Sequence, residues 1–400
     1  MQRHANKPRD QRRRLPLWWA GAAAGLLVAV ALGQAAASAQ APTVQIYATV
    51  SPSPFLPLHG SADVVASLTT AGGNAAPPAT VRVTARGRGV RVTSPTSAER
   101  RRGVVAVLTA GGKAASVSIT VSAADAPRRT LPVKVYSSPA QLVAGKGAWA
   151  SFSTYSALGA ETILRRSAEE GVTHLYLETT GLRFVGQSQL NQIVERAHNL
   201  GIAVIAWDYA SLKDVAMEVR SAATTLAYTT AHGARVDGLA ADFEANLAAT
   251  AMQGFSSAVR GALGPHRVYV GIIYPPQFGF PTPIATMAHY VNVLAPMDYW
   301  LSAPRSYTPT QAAAFVTRSI QALRATPGEA GLPIEVISQT QNVENSSGFG
   351  LYNPPPAQVI ASAKAAMADG AIGVSFYDLR TQTAAQIAAI AALRVRAAAP

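Results

Sequence analysis

The 400-residue chain contains no cysteine. Disulfides and thiolate metal sites are therefore excluded, and a chain exported without disulfides has to draw its stability from core size. Histidines do not cluster either. His174, His198, His232, His266 and His289 stand singly, without the close pair that zinc hydrolases use. A serine nucleophile elbow is missing, and no glycine-rich phosphate loop follows the first strand of the larger domain. The expectation is a protein without metal or cofactor. What is present is apolar bulk: 49% of the residues are hydrophobic, enough for two domains with real cores.

The net charge of +13 is unevenly spread. Through Arg14 six basic residues face one acid, and from Pro42 to Tyr136 eleven face three. The remainder carries seventeen of each. Basic character thus belongs to the leader and the first domain. Arg3, Lys7, Arg9 and Arg12-Arg13-Arg14 precede an apolar stretch from Leu15 to Leu32, then Ala35-Ala36-Ala37-Ser38-Ala39. This order reads as a signal peptide over residues 1–39, or as an uncleaved membrane anchor, since the apolar run is just long enough to span a bilayer. Either way the rest of the chain is expected outside the cytoplasm, secreted or attached to membrane or wall. A basic extracellular domain suits an anionic wall polymer, phospholipid or polysaccharide better than nucleic acid. A merely solvated charged surface explains it equally well.

Residues 43–136 are rich in Val, Thr, Ser, Ala and Gly in short alternating runs, such as Thr80-Val81-Arg82-Val83-Thr84 and Ala115-Ser116-Val117-Ser118-Ile119-Thr120-Val121. Turn clusters separate them. The pattern predicts a small all-β sandwich of immunoglobulin-like type. From residue 146 to 397 strands alternate with helical patterns eight times. The strands read are Ala148 to Ser153, His174 to Glu178, Ala203 to Asp208, Val236 to Glu244, Val268 to Tyr274, Val291 to Tyr299, Pro333 to Thr340 and Ala371 to Asp378. Eight β-α units in about 250 residues predict an α/β fold, a (β/α)8 TIM barrel, over a doubly wound open sheet.

Reactive groups of such a barrel gather at the C-terminal strand ends. The fourth strand is the most informative. Side chains alternate along it, so Gly238, Ala240, Asp242 and Glu244 point one way while Leu239, Ala241 and Phe243 point the other. Other strand ends offer Glu178, Trp207-Asp208-Tyr209, Tyr274, Met297-Asp298-Tyr299-Trp300, Gln339 with Gln341, and Tyr377-Asp378. Aromatic rings stack on sugar faces, and carboxylates bond hydroxyls and move protons. The set predicts a glycan cleft, although any one aromatic residue could simply lid the core.

These motifs resemble glycoside hydrolase family 18, the chitinases and endo-β-N-acetylglucosaminidases. The family's fourth-strand motif Asp-Gly-x-Asp-x-Asp-x-Glu stands here as Asp237-Gly238-Leu239-Ala240-Ala241-Asp242-Phe243-Glu244, and its Met-x-Tyr as Met297-Asp298-Tyr299. Tyr377 occupies the place of a sugar-stacking tryptophan. The resemblance implies substrate-assisted catalysis: Glu244 as acid, Asp242 orienting the substrate's N-acetyl group, and Tyr299 bonding its carbonyl oxygen. Asp237, Trp207, Asp208, Tyr274, Met297, Asp298, Trp300, Gln339, Tyr377 and Asp378 are expected to line the substrate site. Ala240 departs from the motif, which has aspartate there. Loss of that partner implies an Asp242 that ionises more readily, and lower turnover.

Three readings follow. The first is an exported glycosidase acting on β-linked N-acetylhexosamine polymers of chitin or peptidoglycan type. The second is a two-carboxylate glycosidase pairing Glu244 with Asp208, Asp298 or Asp378. The third is a non-catalytic glycan-binding barrel.

Overall fold

The computed structural model describes residues 44–395, apart from 71, 73, 77–78, 181–186, 301–306, 327, 329–330 and 342–352. The leader at residues 1–39 lies outside the described residues. The described residues belong to one compact unit.

Its first part is a two-sheet sandwich. Strands β1 (Gln45–Ser51), β3 (Ser61–Thr69), β6 (Val104–Ala110) and β5 (Val90–Thr93) form one sheet, in the order β1-β3-β6-β5. The other runs β2 (Phe55–Pro57), β8 (Ala126–Tyr136), β7 (Ala115–Ala123) and β4 (Arg82–Arg86). All pairs are antiparallel except β2–β8. A short helix α1 (Ser97–Arg101) carries a capping box between Thr96 and Glu99. Alternation does the folding here. Val64, Leu108, Val117, Ile119, Val121, Leu131 and Val133 are buried between the sheets, while their neighbours in sequence face outward.

The second part is a closed eight-stranded parallel barrel, as the alternating pattern predicts. Its strands are β9 (Gly145–Ala150), β10 (His174–Glu178), β11 (Ala203–Tyr209), β12 (Gly238–Asp242), β13 (Val268–Ile273), β14 (Val293–Asp298), β15 (Glu335–Gln339) and β16 (Gly373–Tyr377). Helices α2 (Phe152–Glu170), α3 (Gln187–Asn199), α4 (Val215–Ala227), α5 (Ala249–Leu263), α6 (Ile284–Ala288), α7 (Pro309–Arg324), α8 (Pro356–Ala368) and α9 (Ala384–Ala392) follow the strands in turn. Strand parity divides the core in two. Leu239, Ala241 and Phe243 pack outward with Phe255, Ile320 and other helix residues. Ala240 faces inward with Trp149, Tyr176, Ile205, Val270, Ala295 and Ile337. Gly238 is required by close approach, because a Cβ there would lie 2.4 Å from the Val268 carbonyl oxygen. At Gly147 a Cβ would lie 2.2 Å from the His174 ring, so glycine makes room for a buried imidazole.

That imidazole belongs to a polar group inside the barrel. His174 Nε2 lies 2.8 Å from Glu335 Oε1, and the Tyr176 hydroxyl donates to the other Glu335 oxygen. All three side chains are fully buried. A lone buried carboxylate would be very costly, and two donors satisfy this one.

The sandwich closes the barrel's floor. Phe55, Tyr136, Ala140, Leu142 and Val143 join the same apolar cluster as Tyr176 and Val268. Tyr136 donates its hydroxyl to the His266 carbonyl at 2.8 Å, and the Arg235 amide donates to the Pro52 carbonyl at 2.9 Å. Along one flank the Tyr47 hydroxyl donates to Glu195, which also lies 3.1 Å from the His232 ring, and Asn199 donates to the Ala48 carbonyl. Asp237 sits at this junction. It accepts from Ser53 Oγ and the Val204 amide and pairs with His198 at 2.8 Å. Its expected place at the substrate site is therefore corrected: it precedes β12 and points away from the mouth.

Phe55→Ala should empty part of this floor and cost about 3–5 kcal/mol of stability. Denaturant unfolding followed by circular dichroism measures the loss. A change under 1 kcal/mol would show that the sandwich merely rests on the barrel.

Candidate active site

The mouth of the barrel is built around β12. Asp242 is its last residue, and Glu244 follows two positions later on the same inward face. Asp242 is 4% exposed, whereas Glu244 is only partly buried. Trp207 Nε1 donates to Asp242 Oδ2 at 3.1 Å, and the Tyr274 hydroxyl donates to Glu244 Oε2 at 2.9 Å. Each carboxylate thus has its own aromatic donor, Trp207 from β11 and Tyr274 from just past the end of β13. Tyr274 is in turn stacked on Phe280, with ring centroids 4.2 Å apart.

Beneath the acids lies an aromatic floor. Trp149 stacks on Tyr176 at 4.0 Å and meets Trp207 edge-on at 5.2 Å. Trp207 meets Tyr377 edge-on at 5.8 Å, and Tyr377 lies 5.9 Å from Tyr299. Burial pushes the Tyr299 and Tyr377 phenols upward, and Asp242 and Glu244 add to the shift in both. Those two hydroxyls therefore stay neutral donors. Met297 and Gln339 complete the inward set from β14 and β15. Glu178 also faces inward, where its Oε2 accepts from the Phe152 amide at 2.7 Å.

Even without an aspartate at 240, Asp242 is not an ordinary, readily ionised carboxyl. Burial, then the charge of Glu244, hold its carboxyl well above the usual range, and the Trp207 hydrogen bond only partly offsets them. Ala240 itself is fully buried in the inward cluster that includes Trp149 and Trp207. The space that a second carboxylate would need is apolar, and an indole N–H serves Asp242 instead.

Four further residues expected at the site turn to the outer side of the sheet. Strand parity is the cause for Asp208 and Asp298, each next to an inward residue of its strand, whereas Trp300 and Asp378 stand just past the ends of β14 and β16. Asp208 is pushed up to about 7 by burial and then by Glu218. It lines a cleft of about 740 Å³ that it shares with Glu178, Tyr209, Met217 and Glu218. Asp298 is fully buried, facing Ser319 of α7. Trp300 packs on Ala312 and Phe315 and donates to Gln358 at 3.0 Å. Asp378 accepts from the Thr154 hydroxyl at 2.7 Å and the Thr381 amide at 3.1 Å, tying α2 to the loop after β16. Gln341 stands at the edge of the described residues and carries no assignment. Sequence reasoning passed over Trp149, Tyr176 and Glu335. The first could have been found, since Gly147 and Trp149 share a face of β9. A single acid in the apolar run of β15 gave no such sign.

Two outcomes are expected from these placements. Ala240→Asp should lower the thermal midpoint, more at pH 7 than at pH 4. A buried acid with a raised pKa binds its proton more tightly folded than unfolded, so its penalty grows as pH rises above about 4. A midpoint equal to wild type at both pH values would show that the layer has room for the charge. Asp208→Asn should stabilise the protein at pH 8 and have little effect near pH 4. The native group's pKa of about 7 means that stability is lost as pH climbs from about 4 to 7. Differential scanning calorimetry across that range checks the slope.

No family model and no curated protein matches the sequence. Among solved structures, the chain is similar to a chitinase from Chromobacterium violaceum ATCC 12472, at 14% identity over 63% of this chain and 100% of that one, with a TM-score of 0.44. A class V chitinase from Pseudomonas fluorescens Pf-5 gives 12% identity over 62% and 98%, with a TM-score of 0.44. The spore cortex-lytic enzyme of Bacillus cereus gives 11% over 67% and 78%, with a TM-score of 0.47. The closed strand register, rather than these likenesses, defines the fold.

Proposed function

We propose that the chain is a glycosidase acting on β-linked N-acetylhexosamine polymers, with substrate assistance. The observation that carries this reading is the pair Asp242 and Glu244 on the inner face of β12, one buried and one reaching the mouth, each with its own aromatic donor. Glu244 is the acid. It gives its proton to the glycosidic oxygen as the bond to the anomeric carbon breaks. The substrate's own acetamido oxygen attacks that carbon, so no protein nucleophile is needed. Asp242 faces the acetamido N–H, and its carboxylate form balances the positive charge of the oxazolinium ion. Tyr299 donates to the attacking carbonyl oxygen. Glu244, now a carboxylate, takes a proton from the water that opens the ring.

The raised pKa of the buried Asp242 gives this scheme its starting point. In the free protein Asp242 favours the protonated form. An acetamido N–H arriving beside Asp242 favours its ionised form. Trp207 is a positioning residue here, because it fixes the Asp242 oxygen that the substrate must meet. Each of Asp208, Asp298 and Asp378 faces away from the barrel interior, so none of them is retained as partner to Glu244 in a two-carboxylate scheme. The composition of residues 1–39 supports export, and with it a substrate outside the cytoplasm.

Glu244→Gln should abolish release of sugar from chitin oligomers or peptidoglycan, by about 10³-fold or more, while leaving oligomer affinity within a few-fold. A thiazoline mimic of the oxazolinium ion should inhibit the wild type. Wild-type binding without any hydrolysis would instead make the barrel a glycan receptor. Full activity in the presence of the thiazoline would rule out substrate assistance.

A further inference from the structure

The sandwich carries a second surface that the barrel chemistry does not use. The outer face of the sheet β2-β8-β7-β4 is divided. One end docks on the barrel through Phe55 and Tyr136, which join the barrel's floor. The other end is open, and register places its side chains in rows. Thr84, Thr120 and Thr130 lie side by side across β4, β7 and β8. Arg82 stands opposite Ser122, and Arg86 opposite Ser118. Arg128 lies on this face of β8 by parity with Thr130. Arg82, Thr84, Arg86, Arg128 and Thr130 are exposed. Strand spacings put Arg82 about 10 Å from Arg128 and about 13 Å from Arg86, with Arg86 and Arg128 about 16 Å apart.

We propose that this face binds an acidic polysaccharide, with the arginines taking its carboxylates and the hydroxyl rows meeting its sugar hydroxyls. Charge complementarity is the first support. Residues 42–136 carry only three acids, and none lies on this face: Asp63 pairs with Arg102, Glu99 caps α1, and Asp125 sits in the β7–β8 turn. Arginine presents a planar fork that matches a carboxylate in two parallel hydrogen bonds, which a lysine does not. The second support is what the open end of the face lacks among the described residues. It has no aromatic ring, so it offers neither the stacking platform of a neutral-glycan or single-strand nucleic-acid site nor a wedge for a membrane. Serine and threonine between the arginines supply donors and acceptors at the spacing of the strands. Arg82 and Arg86 lie on edge strand β4, and Arg128 on a stretch of β8 that β2, paired only with Lys134 to Tyr136, leaves uncovered, so all three also keep the sheet's edges from pairing with another chain.

The test uses the whole chain and polygalacturonate as probe, by titration calorimetry at low salt. The Arg82→Ser, Arg86→Ser, Arg128→Ser triple should weaken binding by about tenfold or more. A control triple with the same loss of charge, Arg91→Ser, Arg100→Ser, Arg101→Ser, should stay within about twofold of wild type. Binding should also weaken as salt rises. Equal weakening by both triples would reduce the effect to net charge and overturn the proposal. So would absence of binding by wild type, or a preference for anionic vesicles or duplex DNA over the polysaccharide. If the serine triple fails to fold, replacing the same three arginines by lysine keeps the charge and removes the fork. Several-fold weaker binding is expected then, and unchanged affinity would overturn the proposal. Glu244→Gln should leave this binding untouched, so its outcome is separate from that of the barrel reading.

Discussion

Two carboxylates placed two residues apart on one barrel strand, with the inner one out of water, cannot both be ionised cheaply. Much of the mouth can be understood as the arrangement that makes this pair tolerable. Asp242 is buried and favours its proton, and the Trp207 indole is its neutral donor. Glu244 reaches further out and has the Tyr274 hydroxyl. Neutral donors stabilise a carboxylate without fixing its charge, as an arginine would. Asp242 therefore remains able to give up its proton when a substrate group meets it, which is what the proposed chemistry asks of it.

The aromatic layer below explains how the site stands without the aspartate of the motif. Trp149, Tyr176, Trp207 and Tyr377 contact one another in a chain of stacked and edge-on rings, and Ala240 is the small residue among them. Rings this size have few rotamers and bury much area, so they hold the Trp207 N–H at a fixed position. Rigidity of the donor is thus obtained from packing rather than from a second buried charge. Deeper still, Glu335 with His174 and Tyr176 shows the other solution to a carboxylate in the barrel, full satisfaction by two donors. The two acids of the mouth and the acid of the interior differ in this respect, and so differ in what they can do.

The sandwich is part of the same construction. Phe55 and Tyr136 fill the floor of the barrel, while Ser53 reaches Asp237 and Tyr47 reaches Glu195. Any ligand held on the open Arg-Thr face would therefore be carried on a body continuous with the barrel.

The sequence alone determined the period of each element and hence the barrel. Eight strand-helix repeats, and the alternation along residues 238–244, were readable because a parallel barrel imposes a period of two on every strand and a helix after it. The inward direction of Asp242 and Glu244 came from that same alternation. Other positions needed the tertiary structure. Asp208, Asp298, Trp300 and Asp378 look equivalent to their neighbours in a linear string, and only closure of the sheet decides which parity faces the axis. Asp237 reads as part of a catalytic motif, yet its partners Ser53, His198 and Val204 come from distant segments that no local pattern joins. The raised pKa of Asp242 was likewise out of reach, because burial depends on which side chains converge from strands far apart in the chain.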